Sequence, residues 1–274
     1  MSTITLESAN DVAEQLTGRR YLSHSAVSTY QSCPLKYYFR YVAGLPEETV
    51  SAALVFGGAI HQATEAHFRA LLQGEPAPSL DELIEAYRQP WSEHDGQEVQ
   101  YARNSGREQL DDLAHRMLTA FVDSDVAQPN GRILGIEEEL TGELLPDVPD
   151  LLARIDLLVE TDDAVVLTDV KTARSRWSSD QVTASAGQLL LYQELVRPLA
   201  TGKPLRLEFA VLTKTKSPEV VRYVVPSDSH RIDRTKQVVQ RVWDGIQSEL
   251  FYPAPSPLQC PSCPYQAECA AWSG

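Results

Sequence analysis

No stretch of the 274-residue sequence stays apolar over the ~20 residues that a membrane-spanning helix requires. Its first residues, MSTITLESANDVAEQL, carry neither the basic nor the apolar region of a secretory signal peptide. A cytoplasmic protein with no membrane partner is expected. The phosphate-cradling pattern G-x-x-x-x-G-K-[ST] is also missing, so no nucleotide cofactor is expected. Cysteine is scarce, with four in the chain, and in a reducing compartment that argues against a disulfide framework. Basic side chains are few as well: 24 against 38 acidic ones, a formal net charge of −14, at first sight the wrong sign for a nucleic-acid partner.

The distribution of charge changes that reading. Residues 1–170 hold 11 basic and 29 acidic side chains, residues 171–250 hold 13 and 8, and residues 251–274 hold a single acid. One positive surface on an otherwise acidic protein is enough to meet phosphates. With 43% hydrophobic residues, and proline and glycine scattered along the chain, the sequence is long enough to bury a full core. A single domain spanning 1–274 is expected.

The most informative stretch is 151–172, LLARIDLLVETDDAVVLTDVKT, two β-branched apolar runs joined by an acidic turn. With Asp162 and Asp163 as the turn residues, partners across the hairpin have numbers adding to 325, and Asp156 falls opposite Asp169. Alternation along the strand puts Lys171 on the same face as Asp169. Facing carboxylates ~5 Å apart at Cβ repel unless something neutralises them. A divalent cation would do so.

Around this hairpin, LSHSAVSTYQSCPLKYYFRYVAGLP (22–46) predicts a helix capped by Ser23 or Ser25 and broken at Pro34. FGGAIHQATEAHFRALLQ (56–73) predicts a helix opening at Gly57 and Gly58, with His61 one turn in. Residues 79–127 read as helical, with breaks near Pro90 and Asn104, and Leu110, Leu113, Met117, Leu118 and Phe121 as an apolar stripe. ILGIEEELTGEL predicts a strand on which Glu137, Glu138 and Glu139 are more readily solvated edge charges than metal ligands. A helix over 179–199 should bury Leu189, Leu190 and Leu195 and stack Gln188 on Tyr192, an amide and a ring that could face a nucleic-acid strand. LRLEFAVLT and EVVRYVV predict two more strands, followed by a helix over 228–250.

The tail LQCPSCPYQAEC sets Cys260, Cys263 and Cys269 in a C-x2-C-x5-C pattern. With Cys33 this makes four thiols for a metal centre. Zinc and a 4Fe-4S cluster both accept four thiolates, and spacing does not decide between them. Either would staple 22–46 to 251–274.

Taken in order, YQSCPLKYYFRY, FGGAIHQATE, ARIDLLV, LTDVKTA, QLLLY and CPSCPYQAEC resemble the RecB-like branch of the PD-(D/E)XK nucleases. The likeness is to members with a four-cysteine iron-sulfur cluster, the CRISPR-associated adaptation nucleases and AddB-type nuclease domains. Ala153 stands where relatives have the glycine of G-x-I-D, a small-for-small change. The resemblance implies an α/β fold: a restriction-endonuclease-like core with a mixed central sheet flanked by helices, a helical insertion at about 75–130, and a cluster joining the chain ends. His61, Asp156, Asp169 and the Val170 carbonyl would hold Mg2+ or Mn2+, and Cys33, Cys260, Cys263 and Cys269 the 4Fe-4S cluster, zinc being the alternative. Bound ions would activate water and polarise the scissile phosphate. Lys171 would orient the nucleophile and offset transition-state charge, and Gln188 and Tyr192 would line a groove for single-stranded DNA. Arg174, Arg176, Lys214 and Lys216 would contact phosphates. The expected function is a metal-dependent deoxyribonuclease, an exonuclease on single-stranded ends, in repair, recombination or CRISPR adaptation. Unwinding would come from a separate helicase, and an integrase is a further candidate partner. The competing expectation is a catalytically silent iron-sulfur or zinc module that docks on DNA or on such a partner.

Overall fold

The computed structural model describes residues 7–94, 96–103, 105–200 and 202–273. In chain order the elements are α1 (Ala9–Thr17), β1 (Tyr21–Ser23), α2 (His24–Ser32), α3 (Pro34–Tyr37), β2 (Thr49–Ser51), α4 (Ala52–Leu72), α5 (Leu80–Ser92), β3 (Glu98–Gln100), α6 (Arg107–Val122) and β4 (Arg132–Gly142). There follow β5 (Asp150–Glu160), β6 (Val165–Ala173), α7 (Ser179–Ser185), α8 (Gly187–Val196), β7 (Leu205–Thr213), β8 (Val220–Val224), α9 (Ser229–Gln247) and α10 (Gln266–Ala271). They group into two compact units: Met1–Glu48, Glu139–Ala153 and Asp228–Gly274 form the first, and Thr49–Glu138 with Arg154–Ser227 the second.

The second unit is built on a mixed sheet flanked by helices. β5 and β6 are antiparallel, β6 and β7 parallel, β7 and β8 antiparallel. The hairpin register is the expected one: pairs run from Glu160–Val165 to Leu157–Thr168 and add to 325. The Thr161 N–H donates to the Ala164 carbonyl at 2.8 Å, closing the turn on Asp162 and Asp163. Leu157, Val159, Val170, Ala210 and Leu212 join Phe56, Ile60, Leu83, Met117 and Phe121 in one core. Burial of large aliphatic and aromatic side chains on this scale, ~1.5–3 kcal/mol each, is what fixes α4, α5 and α6 to the sheet.

Local chemistry explains the helix ends. Ser79 and Glu82 form a capping box at α5, and Pro90 sits within its last turns without ending it. The expected break at Asn104 falls outside the described residues. Further expectations are corrected here. The 79–127 region is not wholly helical, because Glu98–Gln100 pairs in parallel with Thr49–Ser51. α4 begins at Ala52, capped by the Ser51 hydroxyl, so Gly57 and Gly58 lie inside it and His61 is more than two turns in. The 179–199 helix divides at Ala186, and Leu195, expected to be buried, is half-buried.

Gly131 precedes β4 with φ +149°, and a Cβ there would stand 2.3 Å from the Glu160 carbonyl oxygen. Backbone cannot retreat as a side chain can, so Gly131→Ala is expected to cost ~3 kcal/mol or more. Urea unfolding checks this, and an unshifted midpoint would refute it.

In the first unit β1 pairs in parallel with Asp150–Leu152, and α2 packs on α9. Ser23 is the α2 cap, accepting the Ala26 N–H at 3.2 Å. Cys33 ends α2, and Pro34 starts α3 where its missing N–H costs nothing. Leu35, Phe39 and Tyr265 make a small core against Cys33, Cys263 and Trp272. Among the described residues no helix is long and apolar enough to cross a membrane.

Candidate active site

The site lies within the second unit, where the β5–β6 ladder ends. The paired register stops at Leu157–Thr168, one step short of the expected Asp156–Asp169 pair, and the Asp169 carboxylate stands near enough to Asp156 to act on its charge. The Asp156 Oδ2 accepts the Val170 N–H at 2.7 Å, and His61 Nδ1 of α4 stands 3.5 Å from that oxygen. Donor atoms of His61, Glu137 and Asp156 all lie within 4.8 Å of one another. Asp169 is 3% exposed and is held by Lys171, whose Nζ lies 2.9 Å from Oδ1 and 2.7 Å from Oδ2 and donates to Gln188 Oε1 at 3.2 Å. Despite that short approach, Oδ2 is buried with no hydrogen bond of its own.

Crowding of acids sets the electrostatics. Burial, then the neighbouring Asp169, pushes the Asp156 carboxyl up to about 8. Burial, then Asp156, pushes Glu137 up to about 7. Burial holds the His61 imidazole below its ordinary value against the opposing pull of Asp169, which favours its neutral, ligating form. Two carboxyls with raised pKa values and an imidazole kept neutral are what a divalent cation held by His61, Glu137 and Asp156 would satisfy, whereas Asp169, expected as a ligand, lies outside that group and is engaged by Lys171. A set rich in oxygen with one nitrogen suits Mg2+ or Mn2+.

Glu137 is the residue that alternation could not identify. Its φ of 49° is left-handed, a conformation costing ~1–3 kcal/mol in a non-glycine residue. Around it the strand rhythm breaks: Gly135 and Ile136 are both buried, and Glu138 and Glu139 both exposed. The expected solvated edge therefore holds for Glu138 and Glu139 and fails for Glu137, which turns toward His61 and Asp156.

Other expected contacts are placed unevenly. Val170 meets the His61 ring through its backbone, as a hydrogen-bond partner. Tyr192 is 6% exposed and hydrogen-bonds with Gln188, so its ring is enclosed rather than open to a base. Arg176 is tied to Glu219 at 2.5 Å. Arg174 is exposed and close enough to Lys214 to help lower its pKa, burial being the larger cause.

The four cysteines all belong to the first unit. Each is a free thiol, and all four line one cavity of about 520 Å3. The Ala254 N–H points at Cys33 Sγ at 3.5 Å and the Ser256 N–H at Cys260 Sγ at 3.2 Å. Burial, then Cys33, Cys263 and Cys260, raises the Cys269 thiol. Among the described residues no three thiols lie within 4.8 Å of one another, whereas four sulfurs on one zinc would stand ~3.8 Å apart given a Zn–S bond of ~2.3 Å.

The sequence matches the PD-(D/E)XK nuclease superfamily over residues 21–270. No curated protein matches it. Among solved structures, one described as "Putative exonuclease" from Eubacterium rectale superposes with a TM-score of 0.57 at 15% identity, covering 98% of this chain and 93% of that one. At that identity the likeness speaks for the fold alone. The structure of SSO0001 is more distant, with a TM-score of 0.36 at 14% identity over 90% of this chain and 95% of that one, and no argument rests on it. The family match spans nearly the whole chain and agrees with the mixed sheet and the acidic, lysine-bearing site, and the protein belongs to the PD-(D/E)XK nuclease superfamily, whose members use divalent metal ions.

Proposed function

We propose that the protein is a deoxyribonuclease that hydrolyses phosphodiester bonds from the ends of single-stranded DNA. The observation that carries this reading is the meeting of His61, Glu137 and Asp156 donors beside a buried Asp169 whose charge is held by Lys171. Bound by these residues, Mg2+ or Mn2+ would supply an activated water and neutralise charge on the scissile phosphate. Asp169 and Gln188 fix the Lys171 ammonium between them, so it meets the phosphoryl group without first having to order its own chain. Tyr192 acts as the inner support of Gln188. Arg174 and Lys214 receive the backbone of the strand, and Arg176 contributes only when Glu219 releases it.

At the cysteines we propose a 4Fe-4S cluster. Thiols that share a cavity yet stand wider apart than zinc ligands leave room for a larger centre, and backbone N–H groups aimed at Cys33 and Cys260 suit thiolate ligands. Its contribution would be to tie 22–46 to 251–274. Anaerobically purified protein is expected to be brown, with iron and sulfide in equal amounts; colourless protein containing zinc would overturn the assignment. Cys33→Ser is expected to lower the melting temperature of cluster-loaded protein while leaving that of cluster-free protein unchanged.

We propose that it acts in the cytoplasm, in repair, recombination or CRISPR adaptation, with a separate helicase or integrase as partner. The test is incubation of linear and circular single-stranded DNA and linear duplex with Mn2+, Mg2+ or EDTA. Metal-dependent loss of the linear single strand, with circles spared, is expected. No cleavage of any substrate would overturn the nuclease, and cutting of circles as fast as linear strands would overturn end-dependence.

A further inference from the structure

The first unit carries a groove that neither the catalytic nor the cysteine site uses. It runs between α9 and the segments at Tyr30–Pro34 and Tyr252, with a volume of about 600 Å3. Arg234, Arg241, Gln31, Gln237 and Gln240 supply its polar lining, Tyr252 supplies an aromatic one, and no carboxylate lines it. In a chain with 38 acidic side chains against 24 basic, a cleft of guanidiniums, amides and rings stands out as a place for a polyanion.

The placement supports that reading. Arg234, Gln237 and Arg241 fall on one face of α9 by the three- and four-residue spacing. Seven residues separate the two arginines, ~10 Å along the axis, too far for one phosphate to bridge but suited to successive phosphates of one strand. The Arg234 side chain is exposed and has no ion pair or hydrogen bond among the described residues. Arg241 reaches Asp244 at 3.3 Å, with its side chain 85% exposed, and Asp244 also accepts from Gln240 Nε2 at 3.0 Å. Tyr252 is 57% exposed, yet its backbone is fixed, its carbonyl accepting the Leu35 N–H at 3.0 Å. The Tyr30 hydroxyl is already spent on the Leu250 carbonyl at 2.8 Å, so that ring serves as wall.

We infer that this groove is a second DNA-binding site, which holds a single strand by phosphate contacts to Arg234 and Arg241 and by stacking of a base on Tyr252. The strand's identity as DNA rests on the nuclease reading; the preference for a single strand rests on the ring and amides, which need unpaired bases.

Fluorescence anisotropy with oligothymidylates of about 6 and about 30 nucleotides, over a salt series and without catalytic metal, tests this. Full-length wild type is compared with Arg234→Ala/Arg241→Ala and Tyr252→Ala, circular dichroism confirming their folds. The double variant is expected to bind the long strand at least about tenfold more weakly, its log–log salt slope shallower by ~1.4, or ~0.7 per lost phosphate contact. Tyr252→Ala is expected to weaken long-strand binding about fivefold or more. Mn2+-dependent cleavage of the short strand should not change. Unaltered long-strand affinity and slope, or no wild-type binding of the long strand, would each overturn the groove. A wild type that cuts DNA but ignores the substitutions loses only the groove; one that cuts nothing but binds through Arg234, Arg241 and Tyr252 loses only the nuclease.

Discussion

Lys171→Ala is expected to slow Mn2+-dependent DNA cleavage by ~10²–10³-fold, the usual effect of deleting one preorganised charge aimed at a developing oxyanion. Its ammonium is the only cation touching Asp169 among the described residues, and its 32% exposure leaves it open to a phosphate. Deletion leaves the Asp169 carboxylate buried without a counter-charge, so metal-free protein should also lose some stability. Bound Mn2+ should restore that loss, because the ion replaces the missing positive charge. Asp169→Ala should remove activity with a different signature: cleavage lost together with Mn2+ affinity, whereas Lys171→Ala keeps the affinity. Lys171→Arg should not rescue, since a planar fork cannot reproduce a point charge shared between Asp169 and Gln188. Single-turnover cleavage with parallel Mn2+ titrations reads these arms. Equal activity in wild type, Lys171→Ala and Asp169→Ala would remove the proposed centre.

Mn2+ affinity is expected to rise by up to about tenfold per pH unit for each proton displaced, between about pH 6 and about pH 8. The cause is the pair of raised carboxyls, Asp156 at about 8 and Glu137 at about 7. In the unfolded chain they titrate near 3.8 and 4.5, so over the intervening range the folded protein binds more protons than the unfolded one. Their contribution to metal-free stability is therefore full below those lower values and falls as pH rises toward about 8. His61, kept neutral by burial, does not oppose the ion in this window. The thermal stabilisation given by a fixed excess of Mn2+ should accordingly be small at pH 6 and large at pH 8, and Asp156→Asn should flatten the trend. Melting curves at pH 6, 7 and 8 decide the matter, a pH-independent gain being the contrary result.

Much of this site was legible in one dimension because it is built from local geometry. The hairpin register follows from a turn of two residues, and that turn brings Asp156 toward Asp169 whatever surrounds it. Lys171 shares the Asp169 face by simple alternation. Capping at Ser23 and the break at Pro34 are equally local. Glu137 was not legible, because a left-handed residue inside β4 overrides the two-residue period and only packing reveals which glutamate turns inward. Tyr192 was misjudged for a related reason: helical spacing pairs it with Gln188 but says nothing of how deeply α8 is buried. The parallel pairing of Glu98–Gln100 with Thr49–Ser51 joins segments about fifty residues apart and is too short to leave a pattern.

By itself the sequence determined the superfamily, the mixed α/β class, the hairpin with its two-residue turn and register, and the presence of four thiols, since these depend on residue type, order and short-range geometry. Only the tertiary structure decided that Glu137 joins His61 and Asp156, that Gln188 and Asp169 share Lys171, that Arg176 is occupied by Glu219, and that α9 faces a groove without acids. The physical reason is burial. Charges and rings acquire their roles from neighbours brought in from distant parts of the chain, and desolvation by those neighbours, invisible along the sequence, sets which groups hold a proton, a cation or a strand.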